Sequence, residues 1–182
     1  MKYTLIRSSR KSLAVQIKDA ELIVRAPLKM PVKQIEAFIS EHRDWIERKL
    51  CESKLNAEKA DDAGHLTQDD INKLADEALR IIPERVRHYA DIIGVDYGRI
   101  TIRCQRTKWG SCSSKGNLNF NCLLMLAPPE VLDSVIVHEL CHRKEMNHSP
   151  RFYELVYKAL PDYKKHHSWL KDNGQMLMNR VK

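Results

Sequence analysis

Hydrophobic and polar positions along the chain follow first a strand pattern and then a helix pattern. Runs rich in β-branched and apolar residues at 3–6, 13–17 and 22–24 predict three short strands. Apolar residues that recur at three- and four-residue steps then predict a helix over residues 32–50 and a second over 67–93. The N-terminal part is therefore expected to be a small sheet followed by amphipathic helices.

Similar patterns in the second half of the chain predict further strands and a buried helix. Residues 99–104 and 118–126 have strand patterns, and residues 109–112 lie between them. Two prolines then open a predicted helix over residues 129–146, whose apolar residues occur on nearly every face. A helix that is apolar all round is buried. Together, these segments predict an α+β fold in which a sheet packs on helices.

The composition changes between the two N-terminal helices. Residues 53–70 contain no aromatic and few bulky apolar side chains, which is typical of a linker. We therefore expect strands and one amphipathic helix over residues 1–55, packed as an appendage. A linker over residues 56–67 and a C-terminal region over residues 68–182 follow. Within the second helix, Pro83 predicts a kink or a split.

The overall composition excludes several classes of protein. The chain has 182 residues, of which 43% are hydrophobic and 30% charged, and this predicts a folded rather than a disordered protein. Its apolar runs are too short to cross a bilayer, and its first residues lack the pattern of a secretory signal. The five cysteines are odd in number and form no CxxC pair. We therefore expect no membrane contact, no disulfide framework and a cytoplasmic location.

The net charge of +7 is concentrated in two segments. Residues 1–33 are strongly basic, and residues 98–126 contain five basic side chains and no acidic one. Clustered positive charge attracts anions such as nucleic acid, nucleotides or acidic peptides. The alternative is a solvated basic face that keeps the protein in solution.

Ionisable residues interrupt the apolar pattern of the predicted helix 129–146. His138 and His142 are four residues apart, so both rings lie on one face, one turn apart. Buried ionisable groups must be paired, hydrogen-bonded or bound to a metal, and neutral imidazoles suit a tetrahedral zinc ion. Glu139 is adjacent to the first histidine and can reach a metal-bound water. The segment is thus an HExxH motif.

A third ligand is predicted just beyond the helix. His148 lies six residues after His142, and a catalytic zinc ion needs three protein ligands. The intervening turn is expected to use a left-handed conformation at Asn147, followed by a helix that Ser149 caps and Pro150 begins. The alternative is a pair of buried histidines bonded to carbonyl groups, with His148 at the surface.

Residues that could hold a substrate lie on both sides of the motif. Arg103, Arg106, Lys108 and Trp109 precede it and predict an anion-binding lip with one aromatic platform. The alternative is a charged edge strand with the tryptophan in the core. Tyr153 follows the motif, where its hydroxyl is either directed at a developing oxyanion or used in packing.

Three stretches carry a resemblance to a known family: APLKMP…W…RKL, WGSCSSKGNLNFN and VIVHELCHRKEMNHSPRFYELV. Together they resemble the YgjP-like metallopeptidases, zincins that are distantly related to SprT-like proteases. The resemblance covers nearly the whole chain and implies a small zincin fold in the C-terminal region. It also implies zinc bound by His138, His142 and His148, with Glu139 as the catalytic acid and base. The spacing equals that of metzincins, but Glu145 occupies the position of their glycine.

The preferred function is a zinc-dependent hydrolase, and first among these a peptidase, that holds one zinc per chain and uses Glu139 as general base toward an activated water. The same site would also serve a nucleoside triphosphate pyrophosphatase, which the basic segment 98–126 favours. A nucleic-acid-binding module with a structural zinc is the third interpretation, although such sites usually have four protein ligands. The motif does not distinguish zinc from other divalent metals.

Overall fold

The computed structural model describes residues 1–18 and 20–181, and the chain divides into two compact units, Met1–Ala63 and Gly64–Lys182. Each unit combines a three-stranded sheet with helices, so the predicted α+β fold class is confirmed. No helix in the described ranges combines the length and apolar character needed to span a bilayer.

The sheet of the first unit contains β1 (Thr4–Ser8), β2 (Ala14–Lys18) and β3 (Glu21–Pro27). The strand order is β1-β3-β2, with β1 parallel and β2 antiparallel to the central strand. Every second residue of β3, namely Leu22, Val24 and Ala26, is buried against the helices, as the two-residue period of a half-buried strand requires. The three strand predictions are confirmed.

Two helices follow where the periodicity predicted one over residues 32–50. α1 (Val32–Glu41) and α2 (Arg43–Asp62) are separated at His42, which leaves the helical conformation. Its ring Nδ1 lies 3.0 Å from the carbonyl oxygen of Phe38, and the two rings stack. The apolar stripe continues across this break, so periodicity alone could not locate it.

α2 also continues through much of the segment predicted as a linker at 56–67, because it ends only at Asp62. The next helix, α3 (Gln68–Ile93), begins at a capping box in which Thr67 and Asp70 bond each other's backbone N–H groups. The non-helical connection is therefore limited to the residues between α2 and α3. The predicted domain boundaries and the packing of an appendage stay predictions.

Pro83 lies inside α3, which is continuous, so the predicted split is wrong. The missing N–H of a proline leaves the carbonyl four residues earlier without its helical partner. That carbonyl belongs to Leu79, which is 57% exposed, so water can satisfy it. The helix ends at Gly94, which has a left-handed conformation with φ 71°.

The second sheet contains β4 (Ile100–Arg103), β5 (Gly110–Cys112) and β6 (Leu118–Asn121). The strand order is β4-β6-β5, with β4 parallel and β5 antiparallel to the central strand. The predicted strand over residues 118–126 is too long, because Cys122–Leu126 is a short 3-10 helix. The Asn121 side chain starts this turn by accepting a hydrogen bond from Leu123 N at 3.2 Å.

The last three helices are α4 (Pro129–Cys141), α5 (Pro150–Ala159) and α6 (Tyr163–Asn179). α4 lies at the centre of the second unit and contacts α3, β5, α5 and α6. Its apolar residues are buried, as predicted from their distribution on every face. Each such aliphatic side chain stabilises the fold by roughly 1.5–3 kcal/mol. The helix ends five residues earlier than predicted, which leaves residues 142–149 to form the turn beyond the motif.

Candidate metal centre

Three histidines meet at the C-terminal end of α4. His138 and His142 lie one turn apart on that helix, and His148 returns from the turn beyond it, so that one nitrogen of each ring lies within 4.8 Å of the others. The closest pair is His138 Nε2 and His148 Nε2, at 3.0 Å. Zinc–nitrogen bonds of about 2.0–2.1 Å in a tetrahedron require nitrogens about 3.4 Å apart. The three rings therefore fit a zinc ion with small side-chain rotations.

The turn after α4 and the start of α5 bring His148 back to the other two rings. Asn147 Oδ1 accepts a hydrogen bond from Ser149 N at 3.0 Å, and Ser149 Oγ accepts one from Phe152 N. The predicted cap at Ser149 is confirmed. The left-handed conformation predicted for Asn147 is wrong, because within the described ranges only Ala20 has a positive φ among non-glycine residues. The asparagine acts through its side chain instead.

Phe152 forms an apolar support beneath the cluster. Its ring is fully buried, and its centroid lies 4.6–4.9 Å from those of the three histidines. A rigid ring in contact with all three imidazoles restricts their rotamers. No pattern in the sequence indicates this role for Phe152, although the residue lies on the helix predicted to begin at Pro150.

Burial favours the uncharged form of the first two histidines, His138 and His142. Burial lowers the pKa of His138 to about 3, and repulsion from the neighbouring histidines acts in the same direction. Burial also lowers the pKa of His142. His142 Nδ1 lies 3.1 Å from the carbonyl oxygen of Glu145, which can only accept, so Nδ1 carries the proton and Nε2 keeps its lone pair. Neutral imidazoles with available lone pairs are the form that binds zinc.

Glu139 lies beside the cluster and is 7% exposed. Burial raises the pKa of its carboxyl group to about 7, while the positive charge of Lys108 and a hydrogen bond from the backbone of Cys112 act in the opposite direction. A carboxylate with a pKa near neutrality can both accept and return a proton at physiological pH.

β5 approaches Glu139 so closely that its first residue must be glycine. A Cβ atom at Gly110 would lie 2.7 Å from Oε1 and 2.8 Å from Cγ of Glu139. Immediately before it, Trp109 packs against Gly174 of α6 and is half-buried. The Trp109–Cys112 segment therefore holds the Glu139 carboxylate from the side of the sheet. Gly110 leaves room for the carboxylate, and the backbone N–H of Cys112 donates a hydrogen bond to it.

The connection before β5 is held by the buried side chain of Asn121. Asn121 is fully buried, and its Nδ2 donates to the carbonyl oxygens of Gln105 at 2.6 Å and Lys108 at 3.0 Å. Strand alternation cannot reveal this role, because the connection that covers the strand lies 13 and 16 residues earlier in the chain.

The structure brings some of the predicted substrate residues to the site. Lys108 is exposed and close enough to Glu139 for its charge to act on the carboxyl group. Tyr153 is 38% exposed on α5, with its ring centroid 6.4 Å from that of His148. Arg103 and Arg106 are exposed before this region, and Trp109 packs against α6 rather than forming an open platform. Of the five, Tyr153 borders the histidine cluster and Lys108 lies near Glu139.

Tyr163 and His167 form a further contact with the cluster that sequence analysis did not predict. The Tyr163 hydroxyl lies 2.9 Å from His138 Nδ1 and 3.3 Å from His167 Nδ1. The four-residue spacing of Tyr163 and His167 on one helix was the only local signal, and it gave no indication that this helix reaches α4.

Comparison with known proteins identifies a family. Residues 11–68 and 51–173 match the family model described as YgjP-like, metallopeptidase domain. None of the curated proteins matches the chain. Two archaeal metallopeptidase zymogens of known structure are similar to about half of it. Abylysin of Pyrococcus abyssi is 22% identical with a TM-score of 0.47, covering 52% of this chain and 97% of its own. Jannalysin of Methanocaldococcus jannaschii is 21% identical with a TM-score of 0.44, covering 50% and 93%.

Proposed function

The chain belongs to the YgjP-like metallopeptidase family, and from this premise we propose that it is a zinc-dependent peptidase. His138, His142 and His148 hold the metal in this proposal, and Glu139 is the general base. The observation that carries it is the convergence of three histidine rings, with one nitrogen of each within 4.8 Å of the others, beside a buried carboxylate. Structural zinc sites usually have four protein ligands, whereas the cluster in the described part of the chain has three, which favours a catalytic ion.

The donor set suits zinc, which favours neutral imidazole nitrogen in tetrahedral geometry. When bound, such an ion supplies a Lewis acid that lowers the pKa of water and polarises a carbonyl group. Three protein ligands leave a fourth position for water or substrate. Other divalent metals bind the same donors, so the metal used by the cell is tested by elemental analysis of protein purified without added metal.

Glu139 moves the proton in the proposed reaction. Its carboxylate accepts a proton from the attacking water and later delivers it to the amine that leaves when the peptide bond breaks. Burial favours this double role, because it brings the pKa of the carboxyl group to about 7. The Cys112 N–H and the charge of Lys108 prevent a larger rise and help to retain the ionised form that starts the reaction.

The substrate is proposed to bind along β5 as an added strand. β5 lies at the edge of the second sheet and pairs with β6 in the described part of the chain. A peptide in extended conformation can pair with such an edge through its backbone, so that its carbonyl groups pass close to Glu139. Lys108 and Tyr153 border this path and would contact substrate side chains.

A substrate panel tests the proposed function. The purified protein is incubated with a peptide library and, separately, with nucleoside triphosphates, each before and after removal of zinc with a chelator. We expect zinc-dependent peptide cleavage, detected by mass spectrometry, that Glu139→Gln abolishes. Zinc-dependent release of pyrophosphate without peptide cleavage would overturn the peptidase proposal in favour of the nucleotide hydrolase.

The basic residues before β5 provide a second test of substrate charge. If Arg103, Arg106 and Lys108 attract an anionic substrate, catalytic efficiency falls as salt rises, because exposed charges are screened over about 8 Å at physiological ionic strength. Replacing all three with Gln should then raise KM and flatten the salt dependence, with zinc content unchanged. An unaltered KM and salt response would show that this charge does not select the substrate.

A further inference from the structure

Tyr163 contacts the first histidine of the cluster from the side opposite the other ligands. Its hydroxyl lies 2.9 Å from His138 Nδ1, whereas Nε2 of the same ring faces His148 Nε2 at 3.0 Å. Tyr163 begins α6, and its side chain is almost completely buried, at 3% exposure. The contact therefore joins α6 to the cluster through a ring atom that takes no part in holding the ion.

The direction of the hydrogen bonds follows from the chemistry of the imidazole. Nε2 of His138 can bind a metal only through its lone pair, so Nδ1 carries the proton of the neutral ring. This N–H donates to the oxygen of Tyr163, and the hydroxyl proton of Tyr163 then needs an acceptor of its own. His167 Nδ1 lies 3.3 Å away, one turn further along α6. Burial and the charge of Lys171 lower the pKa of His167, which favours the neutral, accepting ring.

We propose that Tyr163, with its hydroxyl oriented by His167, is a positioning residue that holds His138 in the tautomer and rotamer that bind the metal. The inference rests on the proposed function, since it requires His138 to be a ligand. A hydrogen bond to the non-ligating nitrogen fixes the ring about its side-chain torsion and raises its basicity, and loss of such partners typically weakens metal binding by about 10–100-fold.

The variant Tyr163→Phe removes the hydroxyl and keeps the buried ring. We expect its zinc affinity, measured by competition with a chromophoric chelator at fixed pH, to be 10–100-fold weaker than that of the wild type. Tyr157→Phe is the matched control, because it makes the same change on a neighbouring exposed ring of α5. The control should bind zinc with unchanged affinity. Equal affinity in Tyr163→Phe and the wild type would overturn the inference.

His167 is tested in the same assay. His167→Phe removes the acceptor and should weaken zinc binding less than Tyr163→Phe, because His167 acts on His138 only through the tyrosine hydroxyl. In the Tyr163→Phe background the same substitution should have no further effect, since the acceptor acts only through the tyrosine hydroxyl. Additive losses in the double variant would show that His167 does not act through Tyr163.

A measurement on the wild type keeps the inference testable if Tyr163→Phe fails to fold. Long-range proton–nitrogen NMR spectra of the zinc-loaded protein report which nitrogen of each histidine carries a proton. We expect Nδ1 of His138 to be protonated and Nε2 to be bound to zinc, and the reverse assignment would overturn the inference. Failure of the proposed function is distinguishable: if the histidines do not form a metal site, wild-type protein binds less than one zinc per chain in the chelator assay, and if only the peptidase activity fails, the difference in zinc affinity between wild type and Tyr163→Phe persists.

Discussion

Gly110 of β5 lies directly against Glu139, the candidate general base, so the substitution Gly110→Ala should displace the glutamate side chain. The added Cβ atom would lie 2.7 Å from Oε1, 2.8 Å from Cγ and 3.0 Å from Cδ of Glu139. Non-bonded carbon atoms prefer about 3.5–4.0 Å, so the two groups must separate by roughly 0.7–1 Å. Because Cγ is as close as the carboxylate, rotating the end of the Glu139 side chain cannot relieve the contact.

The displacement should reduce activity far more than it reduces stability. A misplacement of about 1 Å at a reacting group costs on the order of 10² in rate, so we expect kcat/KM of Gly110→Ala to fall about 100-fold. Added volume in a packed region costs about 1–3 kcal/mol, and the melting temperature should fall by several degrees. Zinc content should stay at one per chain, because the three atoms nearest to the added Cβ all belong to Glu139 and not to the proposed ligands.

The assay uses whichever peptide the substrate panel identifies, with Gly98→Ala as control. A Cβ atom there would lie 2.5 Å from Asn117 Oδ1, a comparable strain that does not involve Glu139. In the Glu139→Gln background, Gly110→Ala should cause no further loss of activity, since both changes act on the same group. Near wild-type kcat/KM in Gly110→Ala, or an equal loss in Gly98→Ala, would refute the reasoning.

Three further outcomes are expected. His138→Ala, His142→Ala and His148→Ala should each reduce zinc well below one per chain by elemental analysis, and full zinc content in any of them would remove that residue from the ligand set. Glu139→Gln should retain zinc and the melting temperature of the wild type but lose about 10²–10⁴ in kcat, and near-normal turnover would exclude it as the base. Asn121→Leu should lower the free energy of unfolding by about 1–3 kcal/mol in denaturant titration, because two carbonyl groups lose their donor.

The features that the sequence predicted correctly depend on neighbours within one or two helical turns. The four-residue spacing of His138 and His142, and the apolar residues around them, are properties of a single helix. The cap at Ser149 is equally local. For such features the residue pattern and the backbone period are sufficient, and the rest of the chain is not needed to interpret them.

The features that the sequence did not predict depend on tertiary contacts, or on side chains that suit both a buried and an exposed position. Tyr163 reaches His138 across 25 residues of chain, and no periodicity relates the two. Asn121 occupies a position of strand alternation that predicts exposure, and burial follows only because the connection at 105–108 covers it.

The extent of α2 shows a different limit. Residues 53–62 are polar and lack aromatics, which is typical both of a linker and of an exposed helix. The start of α2 carries ion pairs at helical spacing, such as Arg43 with Glu47, yet exposed pairs add little stability because water and salt screen their charges. In the structure, the backbone N–H of Ala20 also donates a hydrogen bond to Ser53 Oγ of α2. Composition cannot predict a tertiary contact of this kind.

The geometry separates the site into two parts that different elements support. Gly110 and the Cys112 N–H hold Glu139 from β5, whereas Phe152 of α5 and Tyr163 of α6 hold the histidines. Changes in β5 should therefore reduce turnover at constant zinc affinity, and changes in α5 or α6 should reduce zinc affinity first. Because α4 carries the proposed base and the first proposed ligand, and His142 directly follows it, a substitution in α4 can impair both properties.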